Sequence, residues 1–513
     1  MNFRSALSLS WLRRGLVLAG LTLAVCAVAD ETLLLVDDHD VLYRSGTRRT
    51  LHPAVRRAEP VIRQDRPWEK TVSYNSVYRN PRTGKYQLWY QALTSVNPEA
   101  SGVAYAESDD GITWRKPGLG LYKFEGRDTN FVVPPAEGHY GASVLADPKD
   151  PDPARRYKLA CFRAREVAGR KVMGLAVGFS PDGLHWRMHP AFPLLQGAYG
   201  HRSDPPLKGD AAYADGVPRS VSDVINIVYD EPRGVYALYA KTWLDTPDGQ
   251  TFWKRAIVRT ESRDFISWST PVLVIQPDEF DGTGVEYFPP THRVDPTRRG
   301  VQLHGGPVFL HEGVCFSLLQ KMDGEITGAM PSELAVSRDG FNWSRPFRST
   351  DFIGLDPDPK HFDSGCLWTN ETPVVLADEI RFYYGAYCGR WNEGIEMLRP
   401  PSGIGIAVLP RDRFAGLSPI GEVGQVTLRP RSLAGCTGLT MNAAVQGEVR
   451  IEILDAQGYR IPGFTRDDAV PIHGDSLRHA VAWKTRTLSD LPPGLYSLRV
   501  HLSHAEIFAL TLH

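Results

Sequence analysis

Cysteine is scarce in this chain. There are six in 513 residues, with no CxxC pair and no zinc-type spacing. That excludes a disulfide-built scaffold and a zinc-organised domain. An excess of one charge sign is also missing. Lys plus Arg number 58 against 59 Asp plus Glu, a formal net charge of −1, and neither half is conspicuously basic. The electrostatic footprint of a nucleic-acid binder is therefore absent. Past the N-terminal segment no apolar run is long enough to span a bilayer, and amphipathic helical periodicity is almost absent. What is plentiful is aromatic: 12 Trp and 20 Tyr, which suit β-sheet packing and, where exposed, sugar faces. The length exceeds one ordinary domain, so two or more are expected.

Residues 1–29 have the pattern of an export signal. Arg4, Arg13 and Arg14 precede an apolar run, Gly15 to Val25, and Ala27-Val28-Ala29 has the form of a cleavage site. The Arg13-Arg14 pair points to a twin-arginine route, but its neighbours match that motif poorly. Val25 before Cys26 argues against a lipid anchor. The expected mature chain begins at Asp30, is periplasmic or extracellular, and has no membrane attachment after signal cleavage. It keeps Cys161, Cys315, Cys366, Cys388 and Cys436, an odd number that implies a free thiol or an intermolecular bond. Cys161 and Cys315 lie in apolar strand patterns and read as buried small hydrophobes.

A repeat carries the fold. SDDGITW (108–114), SPDGLHW (180–186), SRDFISW (262–268) and SRDGFNW (337–343) share Ser, then Asp two residues on, then Trp four further. A short apolar strand precedes each, and another apolar stretch follows most. The Asp can cap N–H groups of its own turn, Gly can supply positive φ, and the Trp can pack between sheets. These aspartates are therefore expected to be structural. Each unit also opens with its own hairpin, as in SYNSVYRNPRTGKYQLWYQA and DVINIVYDEPRGVYALYAKTW. A fifth unit ends in SGIGIAVLPRDRFAGL, with Arg-Asp-Arg-Phe at the turn. Five units of four strands predict an all-β fold: a five-bladed β-propeller over 30–420, closed by an outer strand from Glu31–Pro67. From about Gly421 the alternating strands GEVRIEILDAQGYRIPGF and LYSLRVHLSHAEIFALTLH predict a small C-terminal β-sandwich over 421–513.

The chain resembles the five-bladed glycoside hydrolase propellers, families 32 and 43 and their relatives. It is most similar to the bacterial family 32 N-terminal-like proteins. The stretches that carry the likeness are SVYRNPRTGKYQLWYQA, ESDDGITWRKPGLGLYKFEGRDTNFVV, SVSDVINIVYDEPRGVYALYAK and VRIEILDAQGYRIPGF. The resemblance implies glycoside hydrolysis in the central pocket. It departs where family 32 places its first Asp in a W-M-N-D-P-N-like motif: here stand Trp68-Glu69 and Tyr74-Asn75. The family's catalytic set therefore does not transfer residue by residue. A sialidase reading is disfavoured, because sialidase turns are one residue longer and sialidases have six blades.

In a propeller, the heads of the innermost strands converge on the axis, so carboxylates there are the candidates for acid, base or nucleophile. Asp223, at the head of VINIVY, leads; Glu286 and Asp363 join it as the expected catalytic residues. Glu69 and Glu137 stand at other strand heads. Expected substrate-binding residues are Glu69, Trp68, His139, Tyr140, His201, Arg202, Tyr287, His304 and Trp368. His201 and Arg202 lie in a long insertion before Asp223, with Asp204 and Arg219; His292 and His361 are further histidines near strand heads. No cofactor is expected; a structural or pocket Ca2+ is left open, and no spacing specifies a metal site. The partner is a carbohydrate, not nucleic acid. Two other readings stay open: a non-catalytic carbohydrate-binding propeller, and a lyase or phosphorylase on the same fold. Histidine and tyrosine at the pocket would favour the lyase.

Overall fold

The aspartates of the four repeats cap their own turns. A computed structural model describes residues 30–95, 100–135, 139–167, 169–198, 220–245, 252–278, 280–281, 300–324, 326–348 and 350–513. In the first turn Asp110 Oδ1 accepts from the backbone N–H of Ile112 (2.8 Å) and Thr113 (2.7 Å), and Ser108 Oγ accepts from Gly111 N (2.9 Å). Asp182, Asp264 and Asp339 repeat the pattern. Donation from two N–H groups holds the carboxyls of Asp110, Asp182 and Asp339 down at about 2, against the upward pull of what burial they have. The Trp closes the motif: Trp114 Nε1 donates to Gly111 O at 3.1 Å, and Trp186 and Trp343 do likewise. In the third turn Phe265 takes the glycine's place at φ +64°. Its fully buried ring packs on Phe179 and Tyr236, which offsets the backbone cost.

The turns also rivet neighbouring blades. Tyr383 of blade 5 donates to Gly111 O (2.8 Å), Trp89 of blade 1 to Gly183 O (2.7 Å), and Tyr239 of blade 3 to Gly340 O (3.1 Å). Arg155 of blade 2 donates to Asp264 O. At the degenerate fifth turn His311 of blade 4 bonds Asp412 at 2.6 Å. Each blade thus holds the turn of the next.

Five antiparallel sheets follow from these units. From the axis outward, blade 1 is Thr71–Arg79, Tyr86–Leu93 and Ser101–Ser108, edged by Phe131–Val133 and Trp114–Arg115. Blade 2 is His139–Ala146, Tyr157–Val167, Arg170–Ser180 and Arg187–Met188. Blade 3 is Ile225–Asp230, Val235–Asp245, Phe252–Ser262 and Val272–Ile275. Blade 4 sets Gln302–Leu303 and Val308–His311 against Val314–Met322, then Ser332–Ser337 and Trp343–Ser344. Blade 5 is Cys366–Thr369, Glu379–Tyr387 and Ser402–Pro410. Five separate apolar cores lie between adjacent blades, the blade 4–5 core being rich in phenylalanine. The ring closes through Val55–Arg56 and Ile62–Arg63, which pair with Ser402–Pro410.

The C-terminal strands build a nine-stranded sheet with its own core. Its centre is the long pair Leu439–Leu454 and Leu495–Leu512, bent by register shifts. Glu31–Leu34, Val41–Ser45, Thr47–Leu51 and Ala415–Pro419 also join this sheet. Of the segment expected to close the ring, only the part from Val55 onward pairs with blade 5. The five cysteines of the described chain are free thiols.

The inner strands meet at Glu371, in the turn after the first strand of blade 5. Its carboxylate accepts from Asn226 Nδ2 of blade 3 (2.8 Å), from Ser76 Oγ of blade 1 (3.3 Å) and from Ser143 Oγ of blade 2. Both hydroxyls are oriented from behind, because Ser76 Oγ accepts from Val144 N and Ser143 Oγ from Ile227 N. Adjacent residues finish the hub: Thr369 Oγ1 donates to Leu318 O of blade 4 at 2.7 Å, and Val77 N of blade 1 donates to Thr372 Oγ1 at 2.7 Å.

A Cβ at Gly183, whose φ is +79°, would stand 2.5 Å from Trp89 Cζ2. Gly183→Ala is therefore expected to destabilise the fold by about 1–3 kcal/mol, read as a lower urea midpoint. Burial lifts the Glu371 carboxyl from 4.5 to about 7, although its three donors oppose the rise. The folded state then binds more protons than the unfolded state between those values, so this group makes stability fall as pH rises from about 4.5 to about 7. Urea curves across that window should show the fall in the wild type and a flatter profile in Glu371→Gln.

Candidate functional site

At the N-terminal ends of the inner strands, side chains from all five blades gather at one mouth. Blade 3 contributes most. Asp223 stands just before its first strand, with a side chain 16% exposed, and is salt-bridged to the buried Lys241 of the second strand. Ser222 Oγ donates to Asp223 Oδ1 at 3.0 Å and accepts from Trp243 Nε1 at 3.3 Å. Blade 2 comes unusually close: at Gly141, φ +58°, a Cβ would lie 2.0 Å from Asp223 O. Only glycine lets the two backbones approach so nearly.

Around this pair stands an aromatic wall. Tyr74 of blade 1 meets Tyr140 of blade 2 at 5.8 Å and Trp368 of blade 5 at 6.1 Å between ring centroids. Its hydroxyl lies 3.3 Å from His304 Nε2 of blade 4. His304 in turn packs against Trp391, which follows the second strand of blade 5, at 5.0 Å. The Arg255 guanidinium lies over the rings of Trp243 (4.4 Å) and Trp391 (5.0 Å) and donates to Gln302 Oε1 at 2.9 Å.

The electrostatics assign protonation states. Burial pushes the Asp223 carboxyl up, but the charge and hydrogen bond of Lys241 outweigh it and hold the group below its ordinary value. Asp223 is therefore an ionised carboxylate. Burial brings Lys241 down to about 8, with Arg255 adding to the fall and Asp223 opposing it. Burial, with Lys241 and Arg255 nearby, holds His304 well below its ordinary value, so it is a neutral imidazole.

Of the residues expected from sequence, Asp223, Tyr140, His304 and Trp368 come together here. Others lie elsewhere in the blades. Glu69 accepts from Tyr90 OH (2.6 Å), Lys116 Nζ (2.8 Å) and the backbone N–H groups of Asp65 and Arg66. Trp68 donates to Asn130 Oδ1 at 3.0 Å. Both are buried and serve the interior of blade 1. His139 is fully buried, and burial, with Arg163 nearby, pushes it down to about 3. Asp363 is fully buried as well, but its partners belong to the ring closure: Arg56 Nη1 on the outermost strand of blade 5 (2.8 Å), Tyr384 OH (2.8 Å) and His361 Nδ1 (2.5 Å). His361 also donates through Nε2 to Ala58 O at 2.7 Å. Asp356, His361 and Asp363 form a cluster of metal-ligand type. The Arg56 guanidinium bonds both of its carboxylates and supplies the positive charge there. Glu137, His201, Arg202, Asp204, Arg219, Glu286, Tyr287 and His292 lie outside the described residues.

Sequence reasoning missed Lys241, Trp243, Arg255, Trp391 and Glu371. A signal existed for Lys241: a lysine inside the apolar strand VYALYAKTW needs a buried carboxylate partner. Glu371 sits in the polar run TNET, which reads locally as an ordinary turn.

No protein-family model matches the chain, and no curated protein matches it. Solved structures are similar to it in fold. One described as a glycoside hydrolase has a TM-score of 0.45 and 11% identity, over 69% of this chain and 92% of its own. An N-acetylgalactosamine deacetylase from F. plautii, in complex with blood group B trisaccharide, has a TM-score of 0.43 and 17% identity over 71% and 96%. A family 32 β-fructofuranosidase from Bombyx mori has a TM-score of 0.43 and 11% identity over 89% and 94%.

Lys241→Met removes the positive partner of Asp223. The Asp223 carboxyl should then rise, because burial is opposed only by hydrogen bonds such as that from Ser222. The carboxyl resonance of Asp223, followed by NMR titration, should show a higher midpoint in the variant.

Proposed function

We propose that this chain is an exported carbohydrate-active enzyme that cleaves glycosidic bonds at the axial mouth of the propeller. The observation that carries the proposal is the meeting of an ionised Asp223 with an aromatic wall drawn from several blades. Tyr140 and Trp391 are the partly exposed rings of the wall and suit the apolar face of a sugar, and a fixed negative charge suits an oxocarbenium-like transition state. The sequence resemblance to the family 32 and 43 propellers supports the same reading, and export rests on residues 1–29.

The protonation state narrows the role of Asp223. A carboxylate paired to lysine has no proton to give, so it acts as base toward water or as nucleophile toward the anomeric carbon. The leaving oxygen then needs its proton from another acid, and Glu286 is the residue we assign to it. Lys241 is a positioning residue that keeps Asp223 ionised and aimed. A second reading, a lyase acting on a uronic acid, is favoured by one contact. The Tyr74–His304 pair beside Lys241 and Arg255 has the make-up of a proton-abstraction site with cations for a carboxylate.

A panel of oligosaccharides tests both. Hydrolysis by the wild type should fall about 100-fold or more in Asp223→Asn and in Glu286→Gln, the usual scale for losing an acid or base. An unsaturated product, lost in Tyr74→Phe, would instead establish the lyase. Binding with no turnover of any panel member would reject both enzymatic readings.

A further inference from the structure

The C-terminal sheet turns Val426, Val500 and Ile451 to its core, so by alternation the residues beside them face outward. On that outward face two polar rows run side by side across the strands. The first row is Tyr43, Thr427, Arg499 and Glu452. It is closed on itself: Arg499 donates to Tyr43 OH (2.6 Å), Thr427 Oγ1 (3.2 Å) and Glu452 Oε1 (3.2 Å). The second row is Ser45, Gln425, His501 and Arg450. Its groups are only partly used. Arg450 is spent on Glu448 and on Ala469 O, which also neutralises Glu448. His501 uses Nε2 alone, 3.0 Å from Glu452 Oε1. Among the described residues no hydrogen bond or salt bridge engages His501 Nδ1, the Gln425 amide or the guanidinium of the exposed Arg466. These three residues line one cavity of about 340 Å³, together with Glu448 and Ser503. The cavity lies where the pairing of the two long strands shifts register, between Val445 and Glu448, and such bulges re-aim side chains.

The open groups say which ligand fits. Glu452 is salt-bridged to Arg499 and Arg460, so its carboxylate only accepts, and His501 keeps its proton on Nε2. Burial, aided by Arg466 and Arg499 and opposed by Glu452, holds His501 below its ordinary value and neutral. His501 Nδ1 is therefore an acceptor and calls for a hydroxyl. The Gln425 amide both donates and accepts, which matches a second hydroxyl. Arg466 calls for an anion, since its planar fork suits a carboxylate or a sulfate. Acetate would satisfy Arg466 and leave His501 unmet; a neutral sugar would do the reverse. Tyr43, 47% exposed in the neighbouring row, adds a ring for the apolar face of a sugar. We propose that the outward face of the C-terminal sheet carries a second saccharide site, separate from the propeller mouth, which takes an acidic sugar. Its carboxylate or sulfate pairs with Arg466, and a hydroxyl of the same residue donates to His501 Nδ1. Such a site holds the protein on an anionic polysaccharide whatever chemistry the mouth performs.

Surface plasmon resonance on the immobilised full chain tests this, with a galacturonate trisaccharide, a sulfated galactose trisaccharide and maltotriose in the flow at neutral pH. Continuous flow replaces any sugar that the mouth turns over. The expected result is binding of one or both acidic sugars, which names the anion, and at least about tenfold weaker binding of maltotriose. Equal affinity for maltotriose, or no binding of either acidic sugar, would overturn the proposal. Arg466→Gln changes an exposed side chain and should weaken the acidic sugar about tenfold or more, the scale of losing a charge-assisted pair. Ser503→Tyr fills the cavity and leaves every charge in place, so it should weaken binding to a similar degree. Full affinity in Ser503→Tyr would mean attraction to surface charge without a built site, and would reject the proposal. Full affinity in both variants would place the sugar at the mouth and reject it too.

Discussion

The propeller depends on one buried carboxylate. Five sheets arranged round an axis pack well side by side, but their innermost strands present polar atoms to a centre that no single sheet can satisfy. Glu371 resolves this for three blades at once, and its neighbours Thr369, Asn370 and Thr372 reach blades 4 and 1. A carboxyl so placed is costly to desolvate and is held by three donors, two of them oriented by backbone N–H groups. The hub is thus a cooperative joint: losing one donor leaves a buried carboxyl oxygen short of a partner.

The rim is held by a different device. The Ser-x-Asp turns are locally complete, since Ser and Asp satisfy the turn's own N–H groups. That frees the carbonyl of each turn to accept from the neighbouring blade. One motif therefore fixes a hairpin and also joins two sheets. Its acidic residues look like catalytic candidates by type, but the backbone N–H groups of the turn donate to them, which keeps them ionised and occupies their oxygens.

The mouth inherits its geometry from both. Asp223 sits where blade 3 leaves the axis, pressed by the glycine of blade 2 and charged by Lys241 from the second strand. The buried lysine keeps the carboxylate ionised although burial favours the neutral acid. Burial, aided by the same lysine and Arg255, keeps His304 neutral. Three titratable groups are in this way set by one another, with only Asp223 open to solvent to an appreciable degree.

The sequence by itself determined the blade number, the hairpin that opens each blade and the structural nature of the repeat aspartates. These depend on patterns a few residues long: period-2 alternation, a Ser-x-Asp cap, a returning Trp. It also pointed to Asp223, because a carboxylate heading a strongly apolar strand is unusual locally. Asp363 has the same local appearance, yet it serves the ring closure, for Arg56 lies 307 residues away in sequence and nothing near Asp363 announces it. Glu69 likewise answers to Lys116 and Tyr90. The tertiary structure alone decided which carboxylates are neutralised, which strands of the N-terminal segment join the C-terminal sheet, and that an unremarked TNET turn is the axis of the molecule. Those outcomes depend on which distant groups share a buried volume, and no local pattern encodes that.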